Sequence, residues 1–186
     1  MESAAPIARS TARFAQLVAD IRAVVQRDDD PQRIGPAVAA LLQPCLGCAD
    51  FLAAKELEPD ASDYRQHILH VEPDGSFSVV ALVWLPGQCT AVHDHVSWCV
   101  VGVHLGDEHE TVYELRDSCG DPHLVPTTRC INPSRSVATL LPPGDIHQVA
   151  NGGSGLAVSL HIYGADISVL GSSIRRRYNL SIRDAG

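Results

Sequence analysis

No stretch of this 186-residue chain is apolar for long enough to cross a bilayer; the longest strongly apolar run, Val79 to Leu85, is far too short. Positive charge is also scarce. Against 22 Asp and Glu there are 14 Lys and Arg, giving a formal net charge of −8 and a pI near 5.5. That balance argues against nucleic acid or an anionic membrane as a main partner. The one basic cluster, Arg175-Arg176-Arg177, reads as a solvated turn near the C-terminus. The first ten residues lack the basic start and apolar run of a secretory signal, so the six cysteines are expected as reduced thiols in a cytoplasm. Cys45-Leu46-Gly47-Cys48 is a lone C-x-x-C, and Cys89, Cys99, Cys119 and Cys130 are not spaced to complete a zinc ribbon with it. It reads as a helix end with two buried thiols rather than a redox motif. Linkers, internal repeats and low-complexity segments are absent as well. With 45% hydrophobic and 19% charged residues, the chain fits one domain with a sizeable core.

What is present falls into two textures. Ser10 or Thr11 can cap a first helix, whose apolar positions Phe14, Leu17, Val18, Ile21, Val24 and Val25 recur at helical spacing. Asp30 can cap a second, with Pro31 in its first turn; it runs through Ile34, Val38, Leu41 and Leu42 and ends near Pro44. From Tyr64 onward short β-like runs take over. Val79–Leu85, Val100–His104, Thr111–Leu115, Val137–Leu141 and Leu156–Tyr163 are candidate strands. Turn sequences such as Pro73-Asp74-Gly75, Pro86-Gly87 and Gly152-Gly153 separate them. Many short strands at this spacing suggest a sandwich or barrel.

Chemistry concentrates in two segments. In the first, His93 and His95 stand two apart, so on a strand they share a face. In the second, His147 follows the Pro142-Pro143-Gly144 turn, which aims the side chain after it. Three imidazoles converging from two strands suit iron, zinc, copper or nickel. The other histidines, His67, His70, His104, His109 and His123, read as hydrogen-bonded or exposed residues. Ser159, His161 and Tyr163 also share one strand face. That face is either the wet side of a half-buried strand or a hydrogen-bond chain orienting the phenol.

The two histidine segments resemble the signature motifs of the cupin superfamily. The first motif is Gly87, five residues, His93-x-His95, three residues, a position that is usually glutamate, six residues and Gly106. The second is Pro142-x-Gly144, two residues, His147, three residues and Asn151. Cys99 stands where the usual metal-binding glutamate would be. Cupins with three histidines and no glutamate resemble the thiol dioxygenases, the group of cysteine dioxygenase and 3-mercaptopropionate dioxygenase. The Ser159-x-His161-x-Tyr163 strand is similar to theirs, so the resemblance covers roughly residues 64–163.

This resemblance implies a mainly β fold, a cupin jelly-roll barrel (double-stranded β-helix) over about residues 64–165. A helical cap at about 1–60 precedes it and a C-terminal extension at 166–186 follows. It implies Fe(II) on His93, His95 and His147, Tyr163 with His161 and Ser159 beside the metal, and Tyr64 and Gln66 at the substrate. The implied partners are a small thiol and O2, with a sulfinate as product. Where cysteine dioxygenases resemble Tyr-x-Arg, this chain has Tyr64-Arg65-Gln66, and Arg65 would face the other side of a strand. The pattern resembles the glutamine-type bacterial branch, whose better substrate is generally 3-mercaptopropionate. In that branch an arginine after the tyrosine strand helps to hold the carboxylate; Arg175, Arg176 and Arg177 are the candidates. Cys99 lies near the cysteine that mammalian cysteine dioxygenases crosslink to the catalytic tyrosine. Here it is either a crosslink partner for Tyr163 or a small buried residue where bacterial relatives have glycine. Two other readings stay open: a zinc or manganese cupin isomerase or hydrolase, and a non-enzymatic metal- or ligand-binding cupin. The first ordinarily expects the missing glutamate; the second does not require the Ser-His-Tyr face.

Overall fold

The computed structural model describes residues 11–184. Ser10, the alternative cap, and the segment read for a secretory signal lie outside the described residues. Thr11 caps α1 (Ala12–Val25), its hydroxyl accepting the Phe14 N–H at 3.2 Å. Asp30 caps α2 (Pro31–Leu42), accepting the Gln32 N–H at 2.9 Å, with Pro31 at the position where its missing N–H costs nothing. No described helix is long and apolar enough to cross a membrane.

The strands are β1 (Arg65–Val71), β2 (Ser78–Trp84), β3 (His93–His95), β4 (Cys99–Leu105) and β5 (Asp107–Asp117). They continue with β6 (Pro122–Pro133), β7 (Val137–Leu140), β8 (His147–Ala150) and β9 (Ala157–Tyr163). A one-turn helix, α3 (Ile167–Leu170), precedes β10 (Ile174–Arg177). Two five-stranded antiparallel sheets result, ordered β1-β2-β9-β4-β7 and β10-β3-β8-β5-β6. The expected mainly β architecture with an N-terminal helical part is what forms.

The helices pack on the outer face of the first sheet, and this explains the texture of its central strands. Every residue of β2 and β9 is buried. Val79, Ala81 and Val83 join Val158, Leu160 and Ile162 in one core with Phe14, Ile21, Val38 and Leu42 of the helices. Val80, Leu82 and Trp84 point the other way, into a second core with Cys99 and Tyr163. A strand covered on both faces has no wet side, so β2 reads as a continuous apolar run rather than an alternating one. On β9 the inward face carries Ser159, His161 and Tyr163, only 0%, 5% and 4% exposed. That face does not meet solvent.

Two readings of the sequence need correction, and one long strand was not anticipated. Arg175-Arg176-Arg177 is not a solvated turn but lies in β10, an edge strand pairing Ile174 with His95, Arg176 with Asp94 and Arg177 with His93. The reason is Asp94: fully buried between the two histidines, it binds the Arg175 guanidinium and accepts the Tyr178 hydroxyl at 2.8 Å. Cys45 is buried but Cys48 is only half-buried; each thiol donates to a carbonyl four residues back, Leu41 at 3.8 Å and Pro44 at 3.5 Å. Residues 122–133 form the long strand β6 although Pro122, Pro126 and Pro133 argue against one. It lies at the sheet edge, where a missing N–H breaks no ladder.

Gly35 sits inside α2, where glycine costs about 1 kcal/mol relative to alanine. Its role is close approach: a β-carbon there would collide with the Thr139 methyl of β7. Gly35→Ala is therefore expected to lower stability by about 1–3 kcal/mol in chemical denaturation, the overpacking outweighing the gain in helix propensity. An unchanged or higher denaturation midpoint would show that the helix is free to shift away from β7.

Candidate metal centre and its pocket

The alternation of β3 turns His93 and His95 inward and Asp94 outward, and His147 opens β8 in register with His93. Ring centroids lie 4.7 Å apart for His93–His147, 4.8 Å for His93–His95 and 5.1 Å for His95–His147. One ring nitrogen from each comes within 4.8 Å of the others. All three side chains are buried.

Hydrogen bonds behind the rings set which nitrogen faces inward. His93 Nδ1 lies 2.9 Å from the Ala91 carbonyl, His95 Nδ1 2.8 Å from Asp145 Oδ2 and His147 Nδ1 2.7 Å from Glu110 Oε1. A carbonyl or carboxylate can only accept, so each Nδ1 carries the proton and each Nε2 keeps its lone pair. His147 Nε2 is buried without a partner among the described residues, an orphaned acceptor that a cation would satisfy. Burial, and then His147 and His95, push the pKa of His93 down to about 3, which keeps it neutral and ready to ligate. Burial opposes ionisation of Glu110 and Asp145, but the hydrogen bonds from His147 and His95 outweigh it and hold both carboxyls below their ordinary values. These residues fit a divalent transition metal: neutral imidazole ligands in front, with two buried carboxylates behind.

A pocket opens onto His93 and His95. Tyr64 and Gln66 of the β1 region form one wall, Trp84 and Tyr163 another, and Ser173 and Ile174 the segment entering β10. No Asp or Glu lines it. Tyr64 is stacked on Trp84, ring centroids 4.5 Å apart. Arg65 is on the other side, 3.8 Å from Glu58. The Tyr163 hydroxyl is 3.0 Å from His161 Nδ1, and His161 Nε2 is 2.9 Å from Ser159 Oγ. Burial above all, and then the three ligand histidines, drive the pKa of His161 well below its ordinary value. Cys99 stands directly across from Tyr163 in the β4–β9 ladder, its thiol 4.0 Å from His161 Nδ1. Arg175 is held by Asp94, and Arg176 lies 4.6 Å over the Tyr178 ring.

Four other histidines have partners of their own: His67 with the Glu58 carbonyl, His70 with Glu72, His104 with the Gly47 N–H and His123 with the Asp121 carbonyl. Sequence reasoning missed Asp145, Glu110 and Asp94. Asp145 had a signal, its place in the turn before His147. Glu110 had none, because only the β5–β8 ladder brings it to that ring.

Fold and site together define a cupin-type protein, mainly β with an N-terminal helical part, holding a three-histidine centre inside its barrel. A family model described as cysteine dioxygenase type I matches residues 1–172, and the chain belongs to that family. Similar solved structures include a cupin 2 conserved barrel domain protein from Salinispora arenicola (21% identity, TM-score 0.43, 64% of this chain and 90% of that one). A cupin superfamily protein from Desulfitobacterium hafniense matches at 15% identity and TM-score 0.45, over 65% of this chain and 95% of that one. An uncharacterized protein with a double-stranded β-helix domain from Klebsiella pneumoniae matches at 16% and 0.46, over 64% and 91%.

Replacing His93, His95 or His147 with alanine is expected to abolish metal retention through gel filtration, since two imidazoles cannot hold a labile divalent ion. Asp145→Ala and Glu110→Ala should keep the metal but weaken it about 10–100-fold in chelator competition. Stoichiometric metal in any of the three histidine variants would show that the ligand set is wrong.

Proposed function

We propose that this chain is an iron-dependent thiol dioxygenase that converts a small thiol-carboxylate to its sulfinate with both atoms of O2, preferring 3-mercaptopropionate to L-cysteine. The observation that carries this reading is the meeting of His93, His95 and the Tyr163 phenol at one pocket without acidic residues, with a ring nitrogen of His147 within 4.8 Å of theirs. Membership of the cysteine dioxygenase family supports the reaction class. When bound, iron(II) supplies the open positions and the redox chemistry that bring a thiolate and O2 together. The balance needs no outside electron donor: two S–O bonds form as the O–O bond breaks, sulfur is oxidised, oxygen is reduced, and the thiol proton leaves.

The protein's own residues bind and orient. His93, His95 and His147 add no negative charge to the ion, so an anionic thiolate is the ligand that offsets it. Tyr163, aligned by His161 and Ser159, offers a hydroxyl to the reacting atoms. Tyr64 and Gln66 face the substrate chain. Of the three arginines, Arg177 is the one in register with His93, and its charge opposes the upward push that burial and Asp63 exert on the Tyr64 phenol. We assign it the attraction of the substrate carboxylate, because Arg175 and Arg176 are engaged elsewhere. An L-cysteine ammonium would lose water and find no carboxylate in the pocket lining, a cost that 3-mercaptopropionate avoids.

Metal analysis of anaerobically purified protein, followed by oxygen uptake and sulfinate detection with a panel of thiols, tests the reading. Zinc or manganese content with no uptake on any thiol would sink it. Tyr163→Phe is expected to keep its iron yet lose on the order of 10²-fold in turnover or in coupling to sulfinate, the effect of one donor at developing charge. Wild-type coupling in that variant would return Tyr163 to a packing role. In steady-state kinetics at neutral pH, kcat/KM for 3-mercaptopropionate should exceed that for L-cysteine, and Gln66→Arg should move the ratio towards cysteine by adding a bidentate clamp. A wild-type preference for cysteine would overturn the substrate assignment and leave the reaction class standing.

A further inference from the structure

The two sheets leave two open edges, and a cavity enters from each. At one edge β1 faces β10, and the pocket described above lies there, with Gln66 on one side and Ile174 on the other. At the opposite edge β7 faces β6. A second cavity enters there, past Asn132 of β6, Ser136 of the connecting turn, and Ala138 and Leu140 of β7. These four residues are half-buried, whereas Val103, His147 and Val149, which also line it, are buried. The cavity therefore leads from the surface towards the metal centre.

The two cavities approach the ligands from opposite sides. The first touches His93 and His95, the second touches His147, and Val149 lines both. The second has a volume of about 10 Å³, the room of a single water-sized molecule. A thiol-carboxylate does not fit in it, but a diatomic does. Aliphatic side chains supply much of its wall: Val101, Val103, Ala138, Leu140 and Val149. Of the polar ones, Asn132 Nδ2 donates to Glu110 Oε2 at 3.0 Å, and Glu110 Oε1 accepts from His147. Glu108 Oε1 is left without a partner among the described residues, and one water would satisfy it.

A thiol seated among Tyr64, Gln66 and Tyr163 stands between solvent and the histidines on the β1–β10 side. The second reactant then needs another way in. We propose that the β6–β7 cavity is the route by which dioxygen reaches the metal centre, with Val149 the last residue it passes. A small apolar gas gains by leaving water for an aliphatic void and has no hydrogen bonds to lose there. The need for dioxygen rests on the thiol dioxygenase reading; the passage does not.

The test is methyl NMR of the full-length, zinc-loaded protein under pressurised O2, because dissolved dioxygen is paramagnetic and speeds relaxation of the methyls it visits. With 3-mercaptopropionate present, the wild-type methyls of Val103 and Val149 should relax faster than those of Val79, Val83 and Leu160, buried on the helix side. Ala138→Leu, which fills the mouth of the cavity, should bring Val103 and Val149 down to that background. In the iron-loaded enzyme the same variant should lower kcat/KM for O2 roughly fivefold and leave kcat/KM for the thiol at saturating O2 within about twofold, since a close-packed interior admits a molecule only through its voids. Wild-type relaxation at Val103 and Val149 no faster than background, as in a passage that holds only water, overturns the proposal. So does an Ala138→Leu enzyme with wild-type kcat/KM for O2. The wild-type measurement decides alone if that variant does not fold. Fast relaxation there in a protein that oxidises no thiol supports the passage and defeats the dioxygenase reading; thiol oxidation without it does the reverse.

Discussion

Three imidazoles can face one another in a dry interior only if every ring proton has an acceptor behind it, and the rest of this structure follows from meeting that condition. One acceptor is local, the Ala91 carbonyl two residues before His93. The other two are carboxylates brought from a distance, Asp145 across the sheet to His95 and Glu110 from the next strand to His147. Each removes a tautomeric choice and each adds a buried negative charge just outside the ligand shell. A ligand set without an acidic member is therefore not a site without acidic residues. The charge has moved one layer back, where it steadies the rings without occupying a metal position.

Burying so much polar machinery requires a rigid apolar surround. β2 and β9 supply it by being covered on both sides, helices outside and barrel interior within. Their outward residues are plain aliphatic packing. Their inward residues include Trp84, Ser159, His161 and Tyr163, each tied to another by a hydrogen bond, beside the apolar Val80 and Leu82. The same strand that anchors the helical layer thus aims the phenol, and movement of one face would be felt at the other.

The open edge of the site is closed by the end of the chain. β3 has only three residues, too few to hold two ligands steady by its own ladder. Asp94, turned away from the metal, gathers Arg175 and Tyr178 and so docks β10 along it. That places Ser173 and Ile174 on the pocket wall and Arg177 level with His93. An ion pair of this kind contributes more by specifying how the strand docks than by stabilising the fold, since desolvating Asp94 offsets much of the attraction.

Much of this was legible in the chain itself. Helix caps at Thr11 and Asp30 were readable because a cap is a contact between neighbours in sequence. The triad was readable because two turn-and-histidine segments carry fixed spacings, and the Ser159, His161 and Tyr163 face because alternation on a strand is a local property. β6 was hidden by its prolines, which an edge position excuses. The triplet Arg175–Arg177 misled because basic residues in a row look solvated until a buried partner is known. Asp145, Glu110 and Asp94 share one feature: their roles lie in contacts with residues 37 to 81 positions away. Residue types and spacings determined which side chains can ligate and which strand faces they share. Only the tertiary structure decided which carboxylates stand behind them, because strand register and sheet closure, not sequence distance, determine what a buried polar atom meets.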